Sequence, residues 1–242
     1  MKKSTVDILG INFLSTTNHE FIEQLKKDSL HHQNRFVVTA NPEIVLAARK
    51  DKEYQKTIKQ ADYVIADGIG IIIGGSILKT PLPERVTGYD TLISLLNFAN
   101  KYSKKIFLVG AKPEVISQVQ VNIKNDFPNI KIVGAYDGYF KDDHHITSAI
   151  ASSQPDFVFA ALGFPKQEYF IAKNKNLAPA IWMGVGGSFD VLAGMSKRAP
   201  VFWQKHHIEW LYRLIQEPSR IGRMMALPKY LLLVYRKKFF KR

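Results

Sequence analysis

Residues 157–162 read Phe-Val-Phe-Ala-Ala-Leu, a nearly unbroken apolar run, and residues 163–168 continue Gly-Phe-Pro-Lys-Gln-Glu. Such a run is typical of a strand that is covered on both faces, because a half-exposed strand alternates apolar and polar residues. We expect a helix to start at Pro165, which places Gln167 in its first turn. This stretch therefore predicts a buried strand, a turn and a helix.

Five further runs rich in Val, Ile and Phe show the same pattern, and amphipathic segments lie between the runs. These runs are residues 35–39, 63–66, 105–109, 130–133 and 180–185. Thr17 followed by Glu20 predicts a capping box that opens one helix, and Pro113 predicts the start of another that stops before Pro128. The alternation indicates an α/β fold, a Rossmann-like parallel sheet with helices on both faces.

The pattern changes after Gly194. From Pro200 onward the sequence is aromatic, basic and helical, and we expect Pro218 and Pro228 to break it into short helices. We therefore place a boundary near Ser196. Residues 1–195 form the predicted Rossmann-like domain, and residues 196–242 form a small basic helical appendage.

Composition narrows the possible functions. The chain has 242 residues, is 46% hydrophobic and lacks cysteine, which excludes thiolate chemistry and fits a reducing cytoplasm. We expect no secretory leader, and no uncharged apolar stretch approaches the ~20 residues of a spanning helix, so we expect a soluble or peripheral protein. From Ser196 onward the chain has twelve Lys and Arg and only two acids, so this segment carries +10 of the net charge of +13. This implies an anionic partner, which could be phospholipid, a phosphorylated ligand or nucleic acid.

Polar residues follow the predicted strands, where parallel sheets bind ligands. After the first of these strands, Asn41 could cap the helix that begins at Pro42, or Thr39 and Asn41 could face a ligand at that helix N-terminus. Asp67 follows the next strand. It could be a helix N-cap, or a functional carboxylate next to two glycines, at 68 and 70, that let a ligand approach the backbone.

Two other loops offer candidates. Arg85 lies in a polar loop and could be a solvated surface charge or a ligand clamp. Residues 184–190 read Gly-Val-Gly-Gly-Ser-Phe-Asp, which resembles a backbone nest for an anion at a helix start. Ile73 and Phe189 stand where a dinucleotide fingerprint needs glycine, and there is no P-loop, His-Glu-x-x-His or Gly-x-Ser-x-Gly motif. Asp-x-Asp is absent too, so we predict no metal site.

Together these segments resemble the WecG/TagA/CpsF glycosyltransferase family, and within it the TagA branch. The matching segments are TANPE at 39–43, ADGIG at 66–70, RVTGYD at 85–90, LVGA at 108–111, GFPKQE at 163–168, GVGGSFD at 184–190, AGMSKRAP at 193–200 and IEWLYRLIQEPSRIGR at 208–223. The resemblance covers nearly the whole chain. It implies an enzyme that moves N-acetylmannosamine from UDP to undecaprenyl-diphosphate-linked N-acetylglucosamine in wall teichoic acid synthesis, without a cofactor.

The resemblance also implies roles for individual residues. Asp67 would be the general base of an inverting transfer, with the other catalytic residues being Thr39, Arg85 and Gln167. A carboxylate with a usual pKa of ~3.9 is ionised at neutral pH and can take the acceptor's proton. The implied substrate-binding residues are Asn41, Gly110, Gly184, Gly186, Gly187, Asp190, Arg213, Arg220 and Arg223. The three arginines, from the appendage, would approach the diphosphate of the donor, because guanidinium forks suit phosphate oxygens.

The expected partners are UDP-N-acetylmannosamine, undecaprenyl-diphosphate-GlcNAc and an anionic membrane that the appendage binds. This places the enzyme on the cytoplasmic face of the membrane as a peripheral protein, and self-association of the core is a further expectation. We expect no nucleic-acid partner, because the aromatic residues of the tail cluster with Leu and Val. The alternatives are a related UDP-hexosamine or hexosaminuronate transferase, a nucleotide-cofactor oxidoreductase and a non-enzymatic nucleic-acid binder.

Overall fold

The structure is a computed structural model that describes residues 4–200, 202–203, 206, 208–216, 218 and 221–240, without the side chains at 213, 223 and 240. The chain begins with an antiparallel hairpin of β1 (Thr5–Ile8) and β2 (Ile11–Leu14). Its two-residue turn has positive φ at both Leu9 (54°) and Gly10 (91°), as a turn matched to the twist of a hairpin requires.

A six-stranded parallel sheet forms the centre of the molecule, with the strand order β4-β3-β8-β7-β5-β6. Its strands are β3 (Arg35–Ala40), β4 (Tyr63–Ala66), β5 (Lys105–Gly110), β6 (Lys131–Tyr136), β7 (Phe157–Ala161) and β8 (Ile181–Gly184). All six predicted strands are confirmed. The strand predicted at 130–133 extends further, to Tyr136, because its second half pairs with β5 although Gly134 and Ala135 lack a strong strand signal.

Helices cover both faces of the sheet, as predicted. They are α1 (Asn18–Leu30), α2 (Pro42–Lys50), α3 (Lys52–Lys59), α4 (Ile69–Ile77), α5 (Gly88–Lys101), α6 (Pro113–Asp126), α7 (His144–Ser153), α8 (Lys166–Asn174) and α9 (Ser188–Leu192). Alternate strand residues enter opposite cores. Phe36 packs with α2, α3 and α8 on one face, and Val37 packs with α1 and α5 on the other. This double burial explains the unbroken apolar runs.

Two predicted helix starts are confirmed. The Thr17 side chain and Glu20 form a capping box at α1, and α6 begins at Pro113 and ends before Pro128. Both signals lie within one helical turn of sequence, so no distant contact is needed to produce them.

Most of the described residues beyond 200 lie in helices. They include α10 (Glu209–Gln216), α11 (Ile221–Met224) and α12 (Ala226–Phe240). The expected break at Pro228 is confirmed: one helix ends at Met224 and the next begins at Ala226. Pro228 itself lies in the first turn of the fifteen-residue α12, where its missing N–H costs no helical hydrogen bond. Tyr230 and Val234 of α12 are fully buried in the core beside α2 and α4.

Candidate active site

Three strand ends and a helix start converge at Asp67. The backbone N–H of Asp67 donates to the Ala40 carbonyl at 3.0 Å, so β4 carries the acid to the end of β3. The Thr39 hydroxyl is 8% exposed and donates to the carbonyl oxygen of Gly184, at the end of β8, at 3.1 Å. A Cβ on Gly88, the first residue of α5, would lie 3.3 Å from Asp67 Oδ2 and 3.1 Å from Thr39 Cγ2.

The N-cap interpretation of Asp67 is wrong. Gly68 occupies the N-cap position of α4, and no side chain caps this helix. Asp67 is therefore placed by the strand pairing and lies partly exposed at the carboxyl edge of the sheet.

The cap interpretation of Asn41 is confirmed, and its role in facing a ligand stays a prediction. Its Oδ1 accepts a hydrogen bond from the Ile44 N–H at 3.1 Å, so it caps α2. It also lies beside the Asp67 loop, because a Cβ on Gly68 would be 3.6 Å from Asn41 Cβ. Asn41 is thus a structural cap that stands next to the candidate base.

Gly70 is closely approached by other side chains of this chain. A Cβ on Gly70 would lie 2.6 Å from Leu227 Cδ1, and a Cβ on Gly74 would lie 2.1 Å from the Tyr230 hydroxyl oxygen. Both contacts are made by α12. The close approach at Gly70 is therefore made by α12 and also by Pro42, whose Cγ would lie 2.6 Å from the same Cβ.

Arg85 is not a solvated surface charge. Its side chain is 15% exposed, and its guanidinium donates to Glu209 Oε2 of α10 at 3.3 Å. The loop that carries it is held by a hydrogen bond from the Val86 N–H to the Ala66 carbonyl at 3.1 Å. Arg85 thus joins the loop beside Asp67 to the C-terminal helices. Its role as a ligand clamp stays a prediction.

Gln167 is almost completely buried, at 3% exposure, and both ends of its amide are hydrogen-bonded. Its Nε2 donates to Glu168 Oε1 at 2.8 Å, and its Oε1 accepts from the Gly186 N–H at 3.2 Å. A Cβ on Gly184 would lie 2.7 Å from Gln167 Nε2, so this position needs glycine. The direct contribution of Gln167 in this arrangement is to hold the glycine loop after β8.

The partners of Gln167 were not found from the sequence. Glu168 and Tyr54 are each 1% exposed, and the Tyr54 hydroxyl donates to Glu168 Oε2 at 3.0 Å. Burial raises the pKa of the Glu168 carboxyl above its usual value, and it also raises the pKa of the Tyr54 hydroxyl. The carboxylate accepts from both donors, which fixes the amide of Gln167 with its oxygen toward Gly186.

The glycine loop and Asp190 lie together, whereas Gly110 lies elsewhere. Gly186 has φ of 48°, and a Cβ on Gly187 would be 3.6 Å from Asp190 Oδ2, so this carboxylate folds back over the loop. Gly110 ends β5, with β7 and β8 between it and β3. It has φ of 119°, and a Cβ there would lie 2.4 Å from the Ala161 carbonyl carbon. Packing between strands therefore accounts for Gly110, and its substrate-binding role stays a prediction.

A second residue missed from the sequence is Arg198. Its guanidinium donates to Asp90 Oδ1 at 2.6 Å and lies 4.8 Å from the centroid of the Tyr89 ring. Thr87 caps α5 and donates to the other oxygen of Asp90 at 2.5 Å. Two of the segments that carry the family resemblance, 85–90 and 193–200, are thus joined by one ion pair. The sequence offered one signal for this pair: an arginine and an acid stand in two separate segments that carry the family resemblance.

Three predicted residues cannot be placed in the site. Arg220 lies outside the described residues, and so do the side chains of Arg213 in α10 and Arg223 in α11. Their approach to a diphosphate stays a prediction. Within the described ranges no group of three or more His, Cys, Asp or Glu side chains is placed to hold a metal ion.

A parallel sheet with an acid, a hydroxyl and a glycine loop at the carboxyl ends of adjoining strands defines an α/β enzyme with its site at that edge. The model of the glycosyl transferase WecG/TagA/CpsF family matches residues 6–242, and the chain belongs to this family. The resemblance found in the sequence is thereby confirmed.

Several curated relatives are similar to this chain over most of its length. A protein of Bacillus subtilis strain 168 is 42% identical over 95% of this chain and 91% of its own length, and one of Bacillus spizizenii is 41% identical over 95% and 90%. A protein of Staphylococcus aureus strain MW2 is 38% identical over 93% and 90%. Each is named N-acetylglucosaminyldiphosphoundecaprenol N-acetyl-beta-D-mannosaminyltransferase.

Proposed function

We propose that this enzyme transfers N-acetylmannosamine from UDP-N-acetylmannosamine to undecaprenyl-diphosphate-GlcNAc, with inversion and a β-1,4 linkage, in wall teichoic acid synthesis. The names of the three relatives state a transfer of this kind. The observation that carries the proposal is the convergence of Asp67, Thr39 and the start of α5 at the carboxyl edge of the sheet.

Asp67 acts as the general base. Its carboxylate takes the proton of the acceptor hydroxyl while that oxygen attacks the anomeric carbon of the donor sugar. The bond from the anomeric carbon to the UDP oxygen breaks as the new glycosidic bond forms, and UDP leaves with the electron pair. Such a base contributes roughly 10²–10⁴-fold to the rate.

Neighbouring groups orient the two substrates. The Thr39 O–H is committed to the Gly184 carbonyl, so its oxygen is left to accept a hydrogen bond from a substrate hydroxyl. Gln167 accepts a hydrogen bond from the Gly186 N–H and so holds the glycine loop, which leaves the Gly187 N–H to donate to the donor substrate. Arg213, Arg220 and Arg223 neutralise the charge that develops on UDP.

The test is transfer by purified full-length protein, with a short-chain lipid-diphosphate-GlcNAc acceptor and EDTA present. Wild type releases UDP from UDP-N-acetylmannosamine, and Asp67→Asn loses about 10²-fold or more of the rate. The matched control is Asp126→Asn, which makes the same change at an exposed residue of α6 and keeps full activity.

Two results would contradict the proposal. UDP release by Asp67→Asn at the wild-type rate would show that Asp67 is not the general base. Loss of activity in EDTA would show that the reaction needs a metal ion. A thermal-shift panel of UDP, UDP-N-acetylmannosamine, a UDP-hexosaminuronate and NAD(P) identifies the donor. Stabilisation by NAD(P) alone would favour an oxidoreductase instead.

The exposed surface of α12 supports peripheral binding to the inner face of the membrane. Leu232 is 62% exposed and Phe239 is 67% exposed, and the exposed basic side chains of Lys229, Arg236 and Lys238 lie among them. Each basic residue near an anionic surface contributes ~1 kcal/mol, and apolar side chains enter the interface. Within the described residues no helix is long and apolar enough to cross a bilayer.

Liposome flotation tests this role of α12. Leu232→Ser with Phe239→Ser should weaken binding to anionic vesicles, while Val121→Ser, a control at an apolar residue of α6 that is 48% exposed, should not. These substitutions spare the buried Tyr230 and Val234, which a truncation would remove. Equal flotation of all variants would refute the membrane role. Self-association of the core stays a prediction.

A further inference from the structure

An apolar cleft of about 250 Å³ opens between α2, the loop after β7 and the helices α11 and α12. We call it the α2–α12 cleft. Its apolar walls are Leu46 and Ala47 of α2, Phe164 of the loop and Ala226 at the start of α12. Phe164 is 37% exposed, so part of the apolar surface faces the opening. No residue predicted from the sequence to bind substrate lines this cleft.

Positive charge lies at the edge of the cleft. Lys50 ends α2 and Lys229 lies in the first turn of α12, and both line the cleft. Neither ammonium group has a hydrogen-bond or ion-pair partner among the described residues. Glu43 also lines the cleft and has an interaction of its own. Two lysine ammonium groups next to apolar walls suit a ligand in which a phosphate group is attached to a hydrocarbon chain.

Two of the segments that line the cleft also carry candidate site residues. Glu43 lies two residues after Asn41, which contacts the Asp67 loop, and Phe164 lies three residues before Gln167. The outer end leads to the exposed face of α12, because Leu232 follows Lys229 by three residues and lies on the same side of the helix. The cleft therefore lies between two segments that carry candidate site residues and the exposed face of α12.

We propose that the α2–α12 cleft binds the diphosphate and the first isoprene units of the lipid acceptor, with Lys50 and Lys229 contacting the diphosphate. This assignment rests on the glycosyl transfer proposed above and adds to it the residues that recognise the non-sugar part of the acceptor. Pockets for whole drug-sized ligands measure ~300–1,000 Å³, so this smaller cleft holds a segment of the lipid and leaves the rest to the bilayer.

The experiment compares Lys50→Glu/Lys229→Glu with a control, Lys56→Glu/Lys59→Glu, that makes the same charge change on exposed positions of α3. With the lipid-diphosphate acceptor in detergent, the cleft variant should raise the KM for acceptor by about tenfold or more, because charge-assisted hydrogen bonds are lost. The KM for the UDP-sugar should stay at the wild-type value. With an alkyl glycoside of GlcNAc, which lacks the diphosphate, variant and control should react alike.

The outcomes separate this assignment from the function on which it rests. Absence of transfer by wild type to any acceptor would overturn both. Transfer by wild type, with equal acceptor KM in the cleft variant and the control, would overturn the cleft assignment alone. An effect seen on anionic vesicles and absent in detergent would also overturn it, because the lysines would then contact phospholipid headgroups.

Discussion

The two halves of the site are built in different ways. On the sheet side, Thr39, Gln167, Glu168 and Tyr54 are each less than 10% exposed and hydrogen-bond to one another or to strand ends. On the C-terminal side, α12 is seated by the buried side chains of Tyr230 and Val234 and by an ion pair between Lys237 and Asp7. The sheet side is held by hydrogen bonds between buried polar groups, and the C-terminal side is docked by α12 side chains that enter the core.

The kind of contact differs as well. The Tyr230 hydroxyl is buried without a hydrogen-bond partner among the described residues, so shape rather than polar pairing seats α12 in the groove at Gly74. A buried hydroxyl without a partner costs free energy. The docked helix should therefore separate from the core more readily than the polar network of the sheet comes apart. Substitutions on the two sides should then differ in what they damage.

The largest effect is expected from Glu168→Ala. It leaves the Tyr54 hydroxyl and the Gln167 amide without an acceptor in the core, at ~1–3 kcal/mol for each group, so the free energy of unfolding should fall by about 2–6 kcal/mol. Urea unfolding measures this loss, and the transfer rate should fall because the Gly186 loop is released. Glu114→Ala, at an exposed residue of α6, is the matched control. Unchanged stability of Glu168→Ala would show that the network does not support the sheet side.

The raised pKa of Glu168 gives this prediction a pH dependence. The folded state holds the proton more tightly than the unfolded state, so stability should fall as pH rises from the usual glutamate pKa to the raised value. Glu168→Gln, which cannot ionise, should lack this decrease. The groups that face the carboxyl are Tyr54 of α3 and Gln167, with Tyr169 next to the Tyr54 ring. The prediction would be contradicted if the free energies of unfolding of wild type and Glu168→Gln changed in the same way from about pH 4 to 8.

An intermediate effect is expected from Gly74→Ala. Its Cβ would meet the Tyr230 hydroxyl oxygen at 2.1 Å, so α12 must shift, while the parallel sheet keeps its contacts. We expect faster trypsin cleavage at Lys and Arg of α12 and transfer lowered severalfold, with a cooperative unfolding transition that persists. Ser76→Ala, at an exposed residue of the same helix α4, is the control. Equal cleavage of the two variants would mean that α12 does not depend on the groove.

The sequence predicted the features that depend on near neighbours. The runs that became β3 to β8 are apolar because both faces are covered, and the starts of α1 and α6 follow from Thr17 and Pro113. The acid at Asp67 was found because it directly follows a strand. Tyr54 was not found because it meets Glu168 across 114 positions of sequence, and the groove for α12 was not found for the same reason.

The smallest effect is expected where the two halves meet, at the ion pair of Arg85 and Glu209. Glu209→Gln removes its charge but leaves a group that can still accept from Arg85 Nη2. Partly exposed pairs contribute ~1 kcal/mol or less, so the KM for the UDP-sugar should rise by less than about fivefold. High salt should reduce the difference from wild type, whereas it should leave the effect of Gly74→Ala in place, since packing is not screened. Glu114→Gln is the control. If Glu209→Gln lowered transfer more than Gly74→Ala does, the comparison between the two sides would be contradicted. Charge rather than shape would then hold the C-terminal helices on the core.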